Sequence, residues 1–334
     1  MIDTILLGHG SGRGLDDLLR SVILPELGTD PDGPLEDAAV FSLPPGRVAF
    51  TTDSFVIRPI EFPGGDIGKL SVCGTVNDLA MVGAVPHSLS VAMILEEGVD
   101  VNLLRRILRS IRRESTAAGV SIRCGDTKVV DRGKADGIFI ATSGLGVVPD
   151  GRELSVAYAR PGDAVLVSGP IGLHGIAVLA ARDGLNFAST AVSDCACLHR
   201  LAGTLLDASP HARTLRDATR GGCAAVLNEI AAASGVTVVV RQSAIPIPPE
   251  VAGACSFLGL DPLHVANEGR FVAIVPADEA DAAVAACRTV EQGRGACIIG
   301  TVEPRSRVPV ILETIIGSRR VVDVPSGDLL PRIC

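Results

Sequence analysis

A mixed α/β fold (α+β in its layering) of about two domains is the fold class this sequence predicts, on three observations. The chain has 334 residues, 47% of them hydrophobic, enough to bury a large core and to favour about two domains. Only 3% of residues are aromatic and none is Trp, so the core is built from Val, Ile, Leu and Ala, which suits layers of sheet and helix. Short β-rich runs also alternate with segments of helical period along the whole chain.

In chain order, apolar spacing predicts helices at Asp16 to Leu24 and Ile67 to Val82, the second apolar nearly all round and therefore buried. Strands are expected at Arg47 to Thr52, Ser54 to Ile57 and Ser88 to Leu95, then a helix from Val101 to Ala118 and strands at Val120 to Arg123 and Gly137 to Gly144. The composition turns loop-like at Pro149-Asp150-Gly151, which sets a first domain at residues 1–150 and a second at 151–327. The second half offers strands at Ala164 to Val167, Val236 to Arg241, Arg270 to Val275 and Cys297 to Val302. Its helices fall at His174 to Arg182, Asp194 to Leu206, Cys223 to Ser234 and Asp278 to Thr289, and a hairpin turning at Gly317-Ser318 closes it. Residues 328–334 carry a helix-breaking proline and read as a flexible tail.

The formal charge of −8, with no Lys/Arg cluster, argues against a nucleic-acid surface. Nine cysteines without regular spacing do not make a secreted disulfide framework, so a reducing compartment is expected. No basic leader opens the sequence and no apolar run approaches the ~18 residues of a membrane helix, so the expected location is the cytoplasm.

Four aspartates stand at the ends of strand-like or turn segments: Asp37, Asp53, Asp78 and Asp126. Converging carboxylates are what Mg-ATP requires, because Mg²⁺ takes hard oxygen ligands and offsets phosphate charge that an acidic protein repels. The ordinary explanation is turn capping. Asn77 beside Asp78 weakens it, since a polar pair within an apolar helix is costly to bury unpartnered. Gly8-His9-Gly10-Ser11-Gly12 precedes a helix and suits phosphate wrapping by backbone N–H groups; a flexible arm explains it equally well, and it is not a Walker A loop. Arg216-Asp217-Ala218-Thr219-Arg220-Gly221-Gly222 opens a further helix, either a second anion site or, the plainer account, a capped entry turn. Lys128 shares a strand face with Asp126 and suits a phosphate contact or simple exposure. Glu268, just ahead of a strand, is a candidate general base or a turn residue. Cys334 is the sharpest feature: a thiol closing a polar tail has no packing role, whereas Cys73, Cys124, Cys223, Cys255, Cys287 and Cys297 read as buried small hydrophobes.

Taken together, Leu7-Gly8-His9-Gly10-Ser11-Gly12, Thr52-Asp53-Ser54, Gly74-Thr75-Val76-Asn77-Asp78, Gly125-Asp126-Thr127-Lys128-Val129-Val130, Asp217-Ala218-Thr219-Arg220-Gly221-Gly222, Ala266-Asn267-Glu268-Gly269 and Pro331-Arg332-Ile333-Cys334 resemble the HypE family. These are the carbamoyl dehydratases of [NiFe]-hydrogenase maturation, within the aminoimidazole-ribonucleotide synthetase superfamily. The resemblance implies a homodimer whose N-terminal domains pair their sheets into a barrel-like interface, with ATP shared between subunits and a second α/β domain over the cleft. It implies that Cys334 is carbamoylated by the carbamoyltransferase HypF, that the thiocarbamate is dehydrated to a thiocyanate with ATP, and that cyanide passes to the HypC–HypD complex. It also implies that Asp37, Asp53, Asp78 and Asp126 hold Mg²⁺ and nucleotide, that Gly8, His9, Gly10, Asn77 and Thr127 support the nucleotide, and that Cys334, Glu268 and Lys128 are catalytic. Arg13, Leu173 and Ser256 depart from the family pattern, at the Gly-rich loop, ahead of His174-Gly175 and after Cys255. The rival readings are a kinase or synthetase of the same superfamily acting on a free small molecule, and a non-catalytic scaffold.

Overall fold

The computed structural model describes residues 2–182 and 189–324. Helix α1 (Gly12–Leu18) runs through a π turn at Leu19–Ile23 into α2 (Leu24–Leu27). Then follow β1 (Arg47–Phe55), the small hairpin β2 (Glu61–Phe62) and β3 (Gly65–Asp66), α3 (Ile67–Met81), β4 (Val85–Glu96), α4 (Val101–Ala118), β5 (Ser121–Val130) and β6 (Ile138–Val148). The second half contains β7 (Ala164–Val167), α5 (Leu173–Ala180), α6 (His199–Ala208), β8 (Thr214–Asp217), α7 (Gly222–Ser234), β9 (Thr237–Arg241), α8 (Pro249–Leu258), β10 (Phe271–Val275), α9 (Ala280–Cys287), β11 (Cys297–Glu303), β12 (Val310–Glu313) and β13 (Arg319–Val321).

Two sheets organise these elements. The first is four-stranded in the order β1-β6-β4-β5, antiparallel except for the parallel β4/β5 pair. Its inner face, Leu89, Val91, Met93 and Leu95 of β4 with Phe55 of β1, joins one core with Ile67, Leu70 and Val76 of α3 and Leu104 and Ile107 of α4. The outer face carries Val48, Phe50, Val85 and Ile94, all at least 42% exposed. The second sheet has seven strands in the order β13-β12-β9-β11-β7-β10-β8, with β12/β9 its parallel pair. Its strands β7 and β10 are buried on both sides, as Val165, Val167, Val272 and Ile274 pack with α7 while Leu166, Phe271, Ala273 and Val275 pack with α6 and α9, whereas the edge strand β13 is exposed.

Most expected elements stand within a few residues of their place, and the departures have local causes. The strands expected on either side of Asp53 are one, because Thr51, Asp53 and Phe55 alternate inward without interruption. The helix expected from Asp194 begins at His199. Backbone groups of residues 195–198 are held instead by Ser193 Oγ, Asn77 and Glu268. Cys124, expected inside, is exposed on β5. β8 and α8 had no counterpart in the sequence reading. The tail, with Cys334 and Arg332, lies outside the described residues.

Candidate active site

The carboxylates fall into two groups held by different surfaces of the first sheet. Asp66 caps α3, its carboxylate accepting the Lys69 N–H at 2.9 Å. The capped helix lies along the inner face of the sheet and sets Asp78 beside β1, where Thr51 Oγ1 donates to Asp78 Oδ2 at 2.7 Å. Asp53 points to the same side, and a Cβ on Gly74 would stand 3.3 Å from its Oδ2. From the second sheet β8 brings Asp217, 8% exposed. Burial, with the charges of Asp78 and then Asp53, pushes its carboxyl up to about 7 against the pull of Arg216. Burial likewise raises Asp53, opposed by the Ser54 N–H and Arg220, and raises Asp78, opposed by the Thr51 hydroxyl and Arg216. A cleft of about 470 Å³ adjoins this group, lined by Phe50, Thr51, Asp78, Leu154, Leu215 and Arg216 among others, within the size range of small-molecule sites.

Close by, the segment carrying Glu268 is fixed through its backbone. The Glu268 N–H donates to Asp194 Oδ1 at 3.2 Å, and its carbonyl accepts from the Ala196 N–H at 3.3 Å and from Asn77 Nδ2 at 3.4 Å. Asn267 closes the other side: its Nδ2 donates to the Ala218 carbonyl at 2.8 Å and its Oδ1 accepts the Gly172 N–H at 2.7 Å. Gly222, at φ +60°, lets α7 start against this segment, since a Cβ there would lie 2.5 Å from the Leu263 carbonyl. Glu268 itself is 3% exposed.

The second group stands on the outer face. Side chains of directly opposed residues share a face; Asp53 opposes Thr142, whereas Asp126 opposes Ala92, which opposes Ala141 and then Ser54. Asp126 and Lys128 therefore project away from Asp53. Lys128 Nζ donates to both Asp126 oxygens at 2.6 and 2.7 Å, and this ammonium holds the Asp126 carboxyl below its usual range. Thr127 between them points inward and is 4% exposed. The turn Leu7–Gly10 lies over the end of β5, with room for no more than a glycine hydrogen at Gly10, where a Cβ would come 3.1 Å from Val129 Cβ. His9 Nδ1 accepts the Leu6 N–H at 3.0 Å and so shapes the turn.

Of the residues singled out in the sequence, the structure gathers Asp53, Asp78, Asn77 and Glu268, and separately Gly8, His9, Gly10, Asp126 and Lys128. Asp37 lies exposed in the segment before β1 and joins neither group. The Asn77 amide is engaged internally, with Ala196, Glu268 and Leu198. The expected four-aspartate metal set is not assembled within one chain: among the described residues no three His, Cys, Asp or Glu side chains are grouped to hold a metal ion. The reason is the sheet itself, which puts Asp126 on the opposite face. What does fit Mg²⁺ is the buried group, because this ion is usually held by one or two carboxylates together with phosphate oxygens and water rather than by an all-protein cage. Asp217 belongs with it and was read in the sequence within a stretch that was either a second anion site or a capped helix entry, without a role of its own; its signal was an acidic residue between Arg216 and Arg220 ahead of paired glycines.

Comparison with known proteins gives the family. Residues 35–148 match the family model of the AIR synthase related protein N-terminal domain, and residues 160–313 match that of the C-terminal domain. Carbamoyl dehydratase HypE of Rhodobacter capsulatus is 49% identical over 99% of this chain and 98% of its own length. That of Escherichia coli K12 is 42% identical over the whole of both chains. This chain belongs to the HypE family. A crystal structure of a HypE protein in complex with ATP superposes with a TM-score of 0.93 at 44% identity, covering 99% of this chain and 100% of that one. A structure of a HypE–HypF complex gives 0.81 at 47% identity, over 83% of this chain and 90% of that one. Among the described residues no helix is long and apolar enough to cross a membrane.

Proposed function

We propose that this protein is an ATP-dependent carbamoyl dehydratase that converts an S-carbamoyl group on Cys334 into a thiocyanate. Family membership and the ATP complex of a relative support the activity class. The observation that carries the chemistry is the junction of two features: a buried acidic group, Asp53, Asp78 and Asp217, and a backbone-clamped Glu268 beside it. In this reading residues 1–150 hold the nucleotide and pair with a second copy, and residues 151–327 bring Glu268 to it.

The reaction needs a leaving group and a base. The carbamoyl oxygen attacks the γ-phosphorus, and ADP departs. Loss of both N–H protons then drives out inorganic phosphate as the C≡N bond forms, so ATP and thiocarbamate give ADP, phosphate and thiocyanate. Glu268 is the base, buried enough to be shielded from bulk water and held to one position. One or two of Asp53, Asp78 and Asp217 would hold Mg²⁺ together with phosphate oxygens and water, and the ion would offset phosphate charge and align the transferred group. Arg216 and Arg220 face the same anionic region, and Lys128 stabilises charge on the transferred phosphoryl group.

One chain keeps Lys128, Asp126 and the Gly8–Gly10 turn on the wrong face for that site. The apolar outer face around Val48, Phe50 and Ile94 suits pairing with the same face of a second copy, which would then supply those residues to the nucleotide. Asp37 is left out of this assignment. By the family resemblance, HypF donates the carbamoyl group and the HypC–HypD complex accepts the cyanide, in the cytoplasm.

Intact mass spectrometry tests the reading. After incubation with a carbamoyl donor, carbamoyltransferase and ATP, the full chain gains one carbamoyl group and then loses one water, and Cys334→Ala does neither. Unchanged ATP turnover on an added small molecule by Cys334→Ala, with no adduct on the wild type, would refute it.

A further inference from the structure

Asp194 carries a role that the reaction above does not assign. Its side chain is fully buried in the segment that leads into α6. Oδ1 accepts the Glu268 N–H at 3.2 Å, and Oδ2, without a hydrogen bond among the described residues, faces Arg270 Nε at 3.8 Å. Arg270 in turn donates through Nη1 to the Gly269 carbonyl at 2.6 Å and through Nε to the Pro170 carbonyl at 3.0 Å. The two side chains thus grip the backbone on both sides of Gly269. A Cβ at Gly269 would lie 1.8 Å from the Asp194 carbonyl oxygen, so the two segments are in backbone contact and neither shifts alone.

Burying a carboxylate costs several kcal/mol unless it is paired and hydrogen-bonded. Accepting one N–H does not require a charge; the neutral amides of Asn77 and Asn267 accept the Leu198 and Gly172 N–H groups nearby. A buried anion at this spot is accounted for by what it holds: through the Asp194–Arg270 pair, the peptide bearing Glu268 is locked against the rotation that would swing its side chain off target. We infer that Asp194 is a positioning residue for Glu268, acting through the Glu268 N–H, and that it serves proton removal rather than nucleotide binding. This rests on Glu268 being the base.

The test uses the full-length chain, carbamoylated on Cys334 beforehand, with the dehydration rate and the half-saturating ATP concentration measured for wild type, Asp194→Ala, Asp194→Asn and Glu268→Gln. A catalytic group displaced by about 1 Å can cost on the order of 100-fold. Asp194→Ala is expected to slow dehydration at least about tenfold with unchanged half-saturation by ATP. Asp194→Asn keeps an oxygen for the same N–H but loses the charge paired with Arg270, and is expected between wild type and the alanine variant, slowed about threefold to tenfold. Should the alanine variant not fold, the asparagine variant decides alone, since an unchanged rate there overturns the inference. A wild-type rate for Asp194→Ala, a matching loss of ATP affinity, or an Asp194→Asn rate as low as that of Glu268→Gln also overturns it. A wild-type rate for Glu268→Gln instead overturns the assignment of the base, which keeps the two failures apart.

Discussion

Asp53, Asp78 and Asp217 sit where the first sheet, α3 and β8 meet, whereas Asp126 stands on the open face of that same sheet, and their electrostatics run in opposite directions. Burial raises all three, and the charge of neighbouring carboxylates adds to it at Asp53 and Asp217. The Lys128 ammonium lowers the fourth. The difference teaches which group is waiting for a cation: converging buried carboxylates are destabilised until positive charge arrives, while an ion-paired carboxylate in water is already satisfied. It also shows that acidic motifs that look alike in the sequence can be divided by a single sheet.

The largest expected effect probes Asp217. Its carboxyl is raised to about 7 from an ordinary 3.8, so the fold favours the protonated form. That stabilisation is full below about pH 3.8 and is lost as pH rises through 7. Asp217→Asn stays neutral throughout. Without nucleotide, the variant should match wild type near pH 4 and exceed it at pH 8 by on the order of 4 kcal/mol, since every tenfold change in proton affinity is worth about 1.4 kcal/mol. Denaturant melts across that range measure the difference, and a pH-independent difference would break the contrast between the two groups.

Next in size is nucleotide affinity. Asp78→Asn removes an anion from the group that waits for a cation, and calorimetry should show Mg-dependent ATP binding weakened on the order of 100-fold, about 2.7 kcal/mol. Asp126→Asn should weaken it by about tenfold at most, because Lys128 already offsets that charge. Equal losses would erase the distinction drawn here.

How much of this was legible in the sequence follows from what sets each feature. Hydrophobic period placed α4 closely, because a helix buried on one side writes its spacing into the chain, and a long, nearly all-apolar run placed α3. α8 went unread although Pro249 at its start and Gly259 just past its end are boundary signals; its weak periodicity hid them. β8 went unread because four residues carry too little pattern. Asp53, Asp78 and Glu268 were found through their motifs. The division of the carboxylates by face was not, since it depends on register: the same alternation of Asp126, Thr127 and Lys128 serves either face until β4 and β6 fix which is inward. Asp194 was missed for a related reason. It reads as the start of a helix, and contacts with Asn77 and Glu268, far off in the sequence, help to delay that helix to His199.

The smallest effect on stability belongs to Lys128, and it gives the sharpest test of how the two groups cooperate. The Lys128 and Asp126 side chains are 63% and 60% exposed, so their pairing stabilises the fold by no more than about 0.5 kcal/mol. Lys128→Met should therefore melt like wild type while losing dehydration activity. If the second group serves the site of another copy, inactive Lys128→Met and inactive Asp78→Asn chains complement each other when mixed. Random pairing makes about half of the pairs mixed, each with one intact site of two, so activity should recover to about a quarter of wild type. If instead each site is completed within one chain, every mixed pair holds two broken sites and the mixture stays inactive. The comparison between the two faces then has to be redrawn as one between a site and a surface.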